Sequence, residues 1–102
     1  MAIYYKITNE TENNEGYQYK DGLNVLEEAY KCEDIGCYFT TGEFIDILLY
    51  DNSACYLRIV ELPDDENLKI DNRNKIFRAN MLILKEKFNL KNLNIDDVEN
   101  LL

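Results

Sequence analysis

Histidine and tryptophan are absent from this 102-residue chain, proline occurs once and glycine only four times. Without histidine, the common zinc sets and the cysteine–histidine nucleophile pair cannot be assembled. The glycines are dispersed, so there is no glycine-rich phosphate loop. Cys32, Cys37 and Cys55 make an odd number of thiols, which fits free cysteines in a reducing compartment better than a disulfide scaffold. No metal and no cofactor is expected. Cations are also scarce, at 11 lysines and arginines against 20 acidic residues and a net charge of -9. That balance repels polyphosphates and anionic lipid, so neither nucleic acid nor a membrane is an expected partner. Met1 to Lys6 lacks the basic start and long apolar block of a signal peptide, and no run approaches spanning length.

What is present is enough to fold. A hydrophobic fraction of 46% and an aromatic fraction of 12% are too high for a disordered acidic tail. The length fits one domain, residues 1–102, with no internal repeat.

Ile3 to Thr8 alternates β-branched and aromatic residues as a half-buried strand does. Asn9 to Gly16 is polar and reads as a solvated acidic loop. Tyr17 and Tyr19 share the spacing of one strand face, and Asp21-Gly22 is a turn pair. Leu23 to Tyr30 has weak helical spacing. Cys37-Tyr38-Phe39-Thr40, introduced by Gly36, reads as a brief buried strand running into a helix, because Thr40 and Glu43 match a capping box and Phe44, Ile45, Leu48 and Leu49 form a stripe. Ala54 to Leu62 is a strand that ends at Pro63-Asp64-Asp65-Glu66. Asp71 to Asn74 reads as a turn. For residues 76–87, dense in Met81-Leu82-Ile83-Leu84, periodicity leaves helix and strand open, and the preceding turn favours a strand. Asn94 to Leu102 has the cap and apolar face of a short amphipathic helix. The expected fold class is α+β: a single compact domain, mostly antiparallel sheet, with one central helix and a short C-terminal helix.

The candidate partner-binding residues are Tyr17, Tyr19, Lys20 and Asp21, because tyrosines beside a charged turn suit interfaces. The acidic stretches Glu10 to Glu15 and Asp64 to Glu66 would assist electrostatically. Arg58 and Arg78 lie in apolar segments, where a guanidinium needs carboxylate partners such as Glu61, Asp46 or Asp21. They are candidates for structural ion pairs or for an anion-binding pair.

The order Tyr4-Tyr5-Lys6-Ile7-Thr8-Asn9, Gly16 to Asn24, Tyr38-Phe39-Thr40, Tyr56-Leu57-Arg58 with Val60-Glu61-Leu62-Pro63, and Arg78-Ala79-Asn80 with Ile83-Leu84 resembles the amino-terminal domain of giant-virus ankyrin-repeat proteins of the Mimiviridae. The resemblance covers about residues 3–90 and suggests a stand-alone or truncated relative. It implies a non-enzymatic protein–protein interaction module that binds a host or viral protein in the host cytoplasm. Two alternatives stay open. One is a nucleotide-binding or ADP-ribosyltransferase-like remnant, which the Gly-x-Tyr-Phe strand–helix step at Gly36 to Glu43 faintly resembles. The other is a self-associating protein, a homodimer for instance, joined through the C-terminal helix.

Overall fold

The computed structural model describes residues 3–14, 16–26, 38–50, 53–74 and 76–92, without the side chains of residues 46, 47, 49 and 50. Cys32, Cys37, the second half of the helical turn expected over 23–30, and the helix expected over 94–102 lie outside the described residues.

Nine strands are described: β1 Tyr4–Thr8, β2 Asn13–Asn14, β3 Tyr17–Gln18, β4 Gly22–Val25, β5 Phe39–Thr41, β6 Tyr56–Glu61, β7 Ile70–Arg73, β8 Ile76–Ala79 and β9 Met81–Asn89. Seven form one sheet in the order β4-β9-β6-β1-β5-β8-β7, and β2 and β3 form a separate small ribbon. Every pairing is antiparallel.

The α+β expectation is corrected, because the described residues contain no α-helix. Gly42–Tyr50, where the capped central helix was expected, is a 3-10 helix, and Leu90–Asn92 is a second short one. The side chains explain the tighter winding. Among the side chains described in this segment, Ile45 and Leu48 are buried, and three-residue spacing aligns them along one line at three residues per turn. Both belong to the apolar stripe read from the sequence; what differs is the winding, not these contacts. Leu23–Val25 is also a strand, with Leu23 and Val25 exposed and Asn24 buried, a period of two. Asp71–Arg73 belongs to β7 rather than to a turn. The reversal comes at Asn74, whose φ of 54° falls between paired Arg73 and Ile76, the left-handed conformation that a two-residue hairpin turn uses.

Both faces are covered at the centre of the sheet. On one, Tyr5, Ile7, Leu57 and Ile59 pack with Ile45 and Leu48 of the 3-10 helix. On the other, Phe39, Val60, Ala79, Leu82 and Leu84 pack with Tyr19 and Leu26. Tyr4 sits edge-on to both Phe39 and Phe77 there, at centroid distances of 5.5 and 5.6 Å. Central β1 is consequently buried on both sides and not half-buried as its alternation implied: Lys6 and Thr8 are buried along with Tyr5 and Ile7. That second face, capped by the β2–β3 ribbon, holds the polar centre of the domain.

Candidate functional site

The polar centre is built around Arg58, whose side chain is 1% exposed. β6 places it directly opposite Lys6 of β1 and Lys87 of β9, so three cations share one face of the sheet. A β9 bulge accompanies them, since two steps along β6 from Arg58 to Val60 match three along β9 from Lys87 to Leu84.

Carboxylates from the preceding loops balance this charge. Arg58 donates from Nη1 to Glu12 Oε1 at 3.3 Å and from Nη2 to Asp21 Oδ1 at 2.6 Å. Glu12 also accepts from Lys87 Nζ at 3.4 Å and, through Oε2, from Thr8 Oγ1 at 2.8 Å. Its φ of 52° is left-handed, a conformation that costs a side-chain-bearing residue about 1–2 kcal/mol. The three bonds on its carboxylate hold it there. The acidic loop expected to be solvated thus delivers Glu12 to the interior, with the side chain 12% exposed. Asp21 is the opposite case, 88% exposed while bonded to a buried guanidinium. The hydrogen bond and charge of Arg58 hold its carboxyl below the usual carboxylate range.

The aromatic candidates are mostly internal. Tyr19 is buried, with Lys6 Nζ 4.9 Å from its ring centroid. Tyr17 is half-buried, edge-on to Tyr19 at 5.1 Å, and burial raises its hydroxyl pKa above the ordinary value. Tyr17 Oη donates to Asn24 Oδ1 at 3.1 Å, and the Lys20 backbone N–H donates to the same oxygen at 3.0 Å. Asn24 Nδ2 donates to the carbonyls of Lys20 at 2.8 Å and Gly22 at 3.0 Å. Both lone-pair sites and both protons of this fully buried amide are therefore used. Lys20 and Asp21 are the exposed members of the expected patch.

Arg78 is not part of this centre. It lies on β8 beside Phe77, on the opposite face of the sheet, with β1 and β5 between its strand and that of Arg58. It bonds to Asp71 directly across the β7–β8 pair and lies 5.6 Å from the Tyr38 ring centroid. Asp71 is thus the partner of Arg78, and Asp21 joins Glu12 as a partner of Arg58; Glu61 pairs instead with Lys85 at 2.9 Å.

An open cleft of about 470 Å³ reaches Arg58 from outside. Asp21 and Gly22 line it from the start of β4, and residues 83–87 line it from β9. Sequence reasoning singled out Arg58 and Asp21 but missed Glu12, Asn24 and Lys87. Glu12 sits in a stretch without apolar residues, and nothing in such a stretch marks an inward-facing carboxylate. Among the described residues, no three potential ligands from histidine, cysteine, aspartate or glutamate are grouped to hold a metal. No helix among them is long and apolar enough to cross a membrane.

Fold and site together define an antiparallel-sheet domain whose polar interior is a loop-to-sheet arginine–carboxylate network. The chain is 42% identical over 101 residues to an uncharacterized protein of Acanthamoeba polyphaga mimivirus, covering 91% of this chain and 72% of that one. It is also 35% and 32% identical to two proteins of the same virus named for ankyrin repeats, over 87% and 86% of this chain but only 48% and 38% of theirs. The chain belongs to this mimivirus family and is a relative of the domain found in those ankyrin repeat proteins. It spans less than half the length of the two ankyrin repeat relatives. No protein-family model and no solved structure matches it.

Proposed function

We propose that the domain is a non-enzymatic protein–protein interaction module of a giant virus, acting in the cytoplasm of the infected host by binding a host or viral protein. The contact surface in this reading is the corner at Tyr17, Tyr19, Lys20 and Asp21, where Lys20 and Asp21 supply the exposed groups, continued along β4. The observation that carries the reading is the apolar pair on that strand. Leu23 is 47% and Val25 56% exposed, on a strand that ends the sheet among the described residues. An edge strand offers unpaired backbone groups to a partner strand, and exposed alternate side chains supply selectivity.

Family context supports the same reading. The relatives include proteins named for ankyrin repeats, and ankyrin repeats are helical units of about 33 residues that stack into binding surfaces. An antiparallel sheet is a different kind of unit, so this domain would add a separate contact surface to such an array.

The test is capture of a partner from infected-cell lysate by the tagged chain, compared with a variant carrying Lys20→Glu, Leu23→Lys and Val25→Lys. A stoichiometric partner lost by the folded variant supports the interface; a partner that the variant keeps removes it. The β4 edge, which ends the sheet among the described residues, also favours a second reading, self-association of two copies edge to edge. Sedimentation of the purified chain distinguishes the two, because the same variant would then lower the oligomer mass in the absence of any partner.

A further inference from the structure

The Arg58 guanidinium is incompletely used. Its Nη1 bonds to Glu12 and its Nη2 to Asp21, yet its buried Nε has no hydrogen-bond partner. A buried polar donor without a partner loses its hydration and gains nothing in return. Nε–H and the adjacent Nη2–H form the side-on fork of arginine, whose spacing matches the two oxygens of one carboxylate. Asp21 fills only the Nη2 half of that fork, with one oxygen. It does so from the rim of the open cleft, with its side chain 88% exposed.

We propose that this cleft is a binding site for a carboxylate supplied from outside the domain, and that Asp21 is its displaceable internal occupant. An incoming carboxylate that bridges Nε and Nη2 satisfies the orphaned donor and replaces the Asp21 bond. The exchange conserves charge at the buried guanidinium, so no new desolvation of Arg58 is needed. Asp21 returns to water from a position already largely in water. Lys87, opposite Arg58 on β9 and also lining the cleft, adds a second cation near the entering anion. Glu12 stays in place, held by Arg58, Lys87 and Thr8. Two sources present this chemistry, a small free carboxylic acid and an acidic side chain or chain terminus of a peptide. The site shares Asp21 with the proposed contact corner, but its test reads ligand contact with Arg58 and not partner capture, so either reading can fail without the other.

The test is a titration of the isotope-labelled full chain, followed by NMR at the Nε–H signals of its three arginines, Arg58, Arg73 and Arg78. Acetate, succinate and a short glutamate-rich peptide are compared with sodium chloride at equal ionic strength. Saturable movement of the Arg58 signal under carboxylate and not under chloride is expected. Asp21→Asn should lower the acetate concentration needed by roughly tenfold or more, because a tethered competitor acts at millimolar or higher effective concentration. Tighter binding of the peptide than of succinate assigns the ligand to a protein; equal or weaker peptide binding assigns it to a small acid. An Arg58 signal that stays still in folded Asp21→Asn, or moves equally with chloride, overturns the proposal. If that variant fails to fold, the wild-type titration decides alone, and absence of a saturable Arg58 shift overturns it.

Discussion

Glu12 Oε1 accepts a hydrogen bond from Arg58 Nη1 at 3.3 Å, joining residues 46 positions apart. This bond ties the β2–β3 ribbon to the centre of the sheet, and the ribbon in turn seats Tyr19 over Lys6. Replacing Glu12 with alanine leaves a buried guanidinium with only a solvent-exposed carboxylate beside it. Losing one partner of a buried pair costs about 3–5 kcal/mol. Some strain at the left-handed position remains with alanine, so Glu12→Ala should fall near that range, measured as the shift in urea midpoint. Asp21→Asn should cost distinctly less, because Asp21 is exposed; equal losses would show that the two carboxylates are not ranked by burial.

Asn24 permits a sharper test, since its amide has no unused hydrogen-bonding capacity. Asn24→Asp preserves the shape but replaces two donors with an oxygen facing the carbonyls of Lys20 and Gly22. A loss of about 2–4 kcal/mol is expected, being two broken bonds plus buried unpaired acceptors. Tyr17→Phe removes one donor from the same group and should cost about 0.5–1.5 kcal/mol. The pair also matters for the interface reading, because Tyr17→Phe keeps the ring. A partner lost on Tyr17→Phe with the β4 edge intact would indicate a direct role for the hydroxyl.

Acid should weaken the fold through two aspartates that hold buried arginines, Asp21 exposed and Asp71 half-buried. Arg58 depresses Asp21, chiefly by its hydrogen bond and then by its charge, and Arg78 depresses Asp71 chiefly by its hydrogen bond, with Arg73 adding to it. A carboxyl with a lowered folded-state pKa contributes stability that is fully present above its unfolded value of 3.8 and is lost as the pH falls through the folded value. Urea midpoints should therefore be level above about pH 5 and fall below about pH 4. An Asp21→Asn, Asp71→Asn double variant should start lower at neutral pH and show a shallower fall. An unchanged slope would move the acid sensitivity to other carboxylates.

Much of the sheet was legible because strands announce themselves through alternation and β-branching. Ile3 to Thr8 and Ala54 to Leu62 contain β1 and β6. The apolar density from Ile76 to Lys87 became β8 and most of β9. The central helix failed for a physical reason. Ile45 and Leu48 fit both a 3.0 and a 3.6 repeat over so short a segment, and docking on the sheet selected the tighter one. The site was half legible. Arg58 stood out because a guanidinium inside an apolar strand needs an anion, and Asp21 was among the partners considered. Glu12 and Lys87 depend on the ribbon folding back over β6 and β9, a tertiary arrangement that no local pattern encodes, whereas Asn24 bonds only to Tyr17, Lys20 and Gly22 nearby, and a lone asparagine after a turn does not announce that it is buried. Asp71, read as a turn residue, became the Arg78 partner only through the cross-strand register of β7 and β8.

Gly22 connects the cleft to the edge strand, and its role is conformational rather than steric. Its φ is 86°, and a Cβ built there meets nothing within 4 Å. Gly22→Ala should therefore cost about 1 kcal/mol from backbone strain alone. Gly16, with a φ of 88° and equally open space, provides the control. Gly22 lies in the β4–β9 register opposite Leu84, and its carbonyl accepts from Asn24, so any relaxation of φ there pulls on a buried amide. The loss at Gly22 should exceed the loss at Gly16. A chemically synthesised chain with d-alanine at position 22 separates conformation from space: d-alanine prefers positive φ and restricts the unfolded chain, so it should match or exceed the stability of glycine. If d-alanine destabilises as much as l-alanine does, the left-handed backbone at Gly22 is not what the position requires.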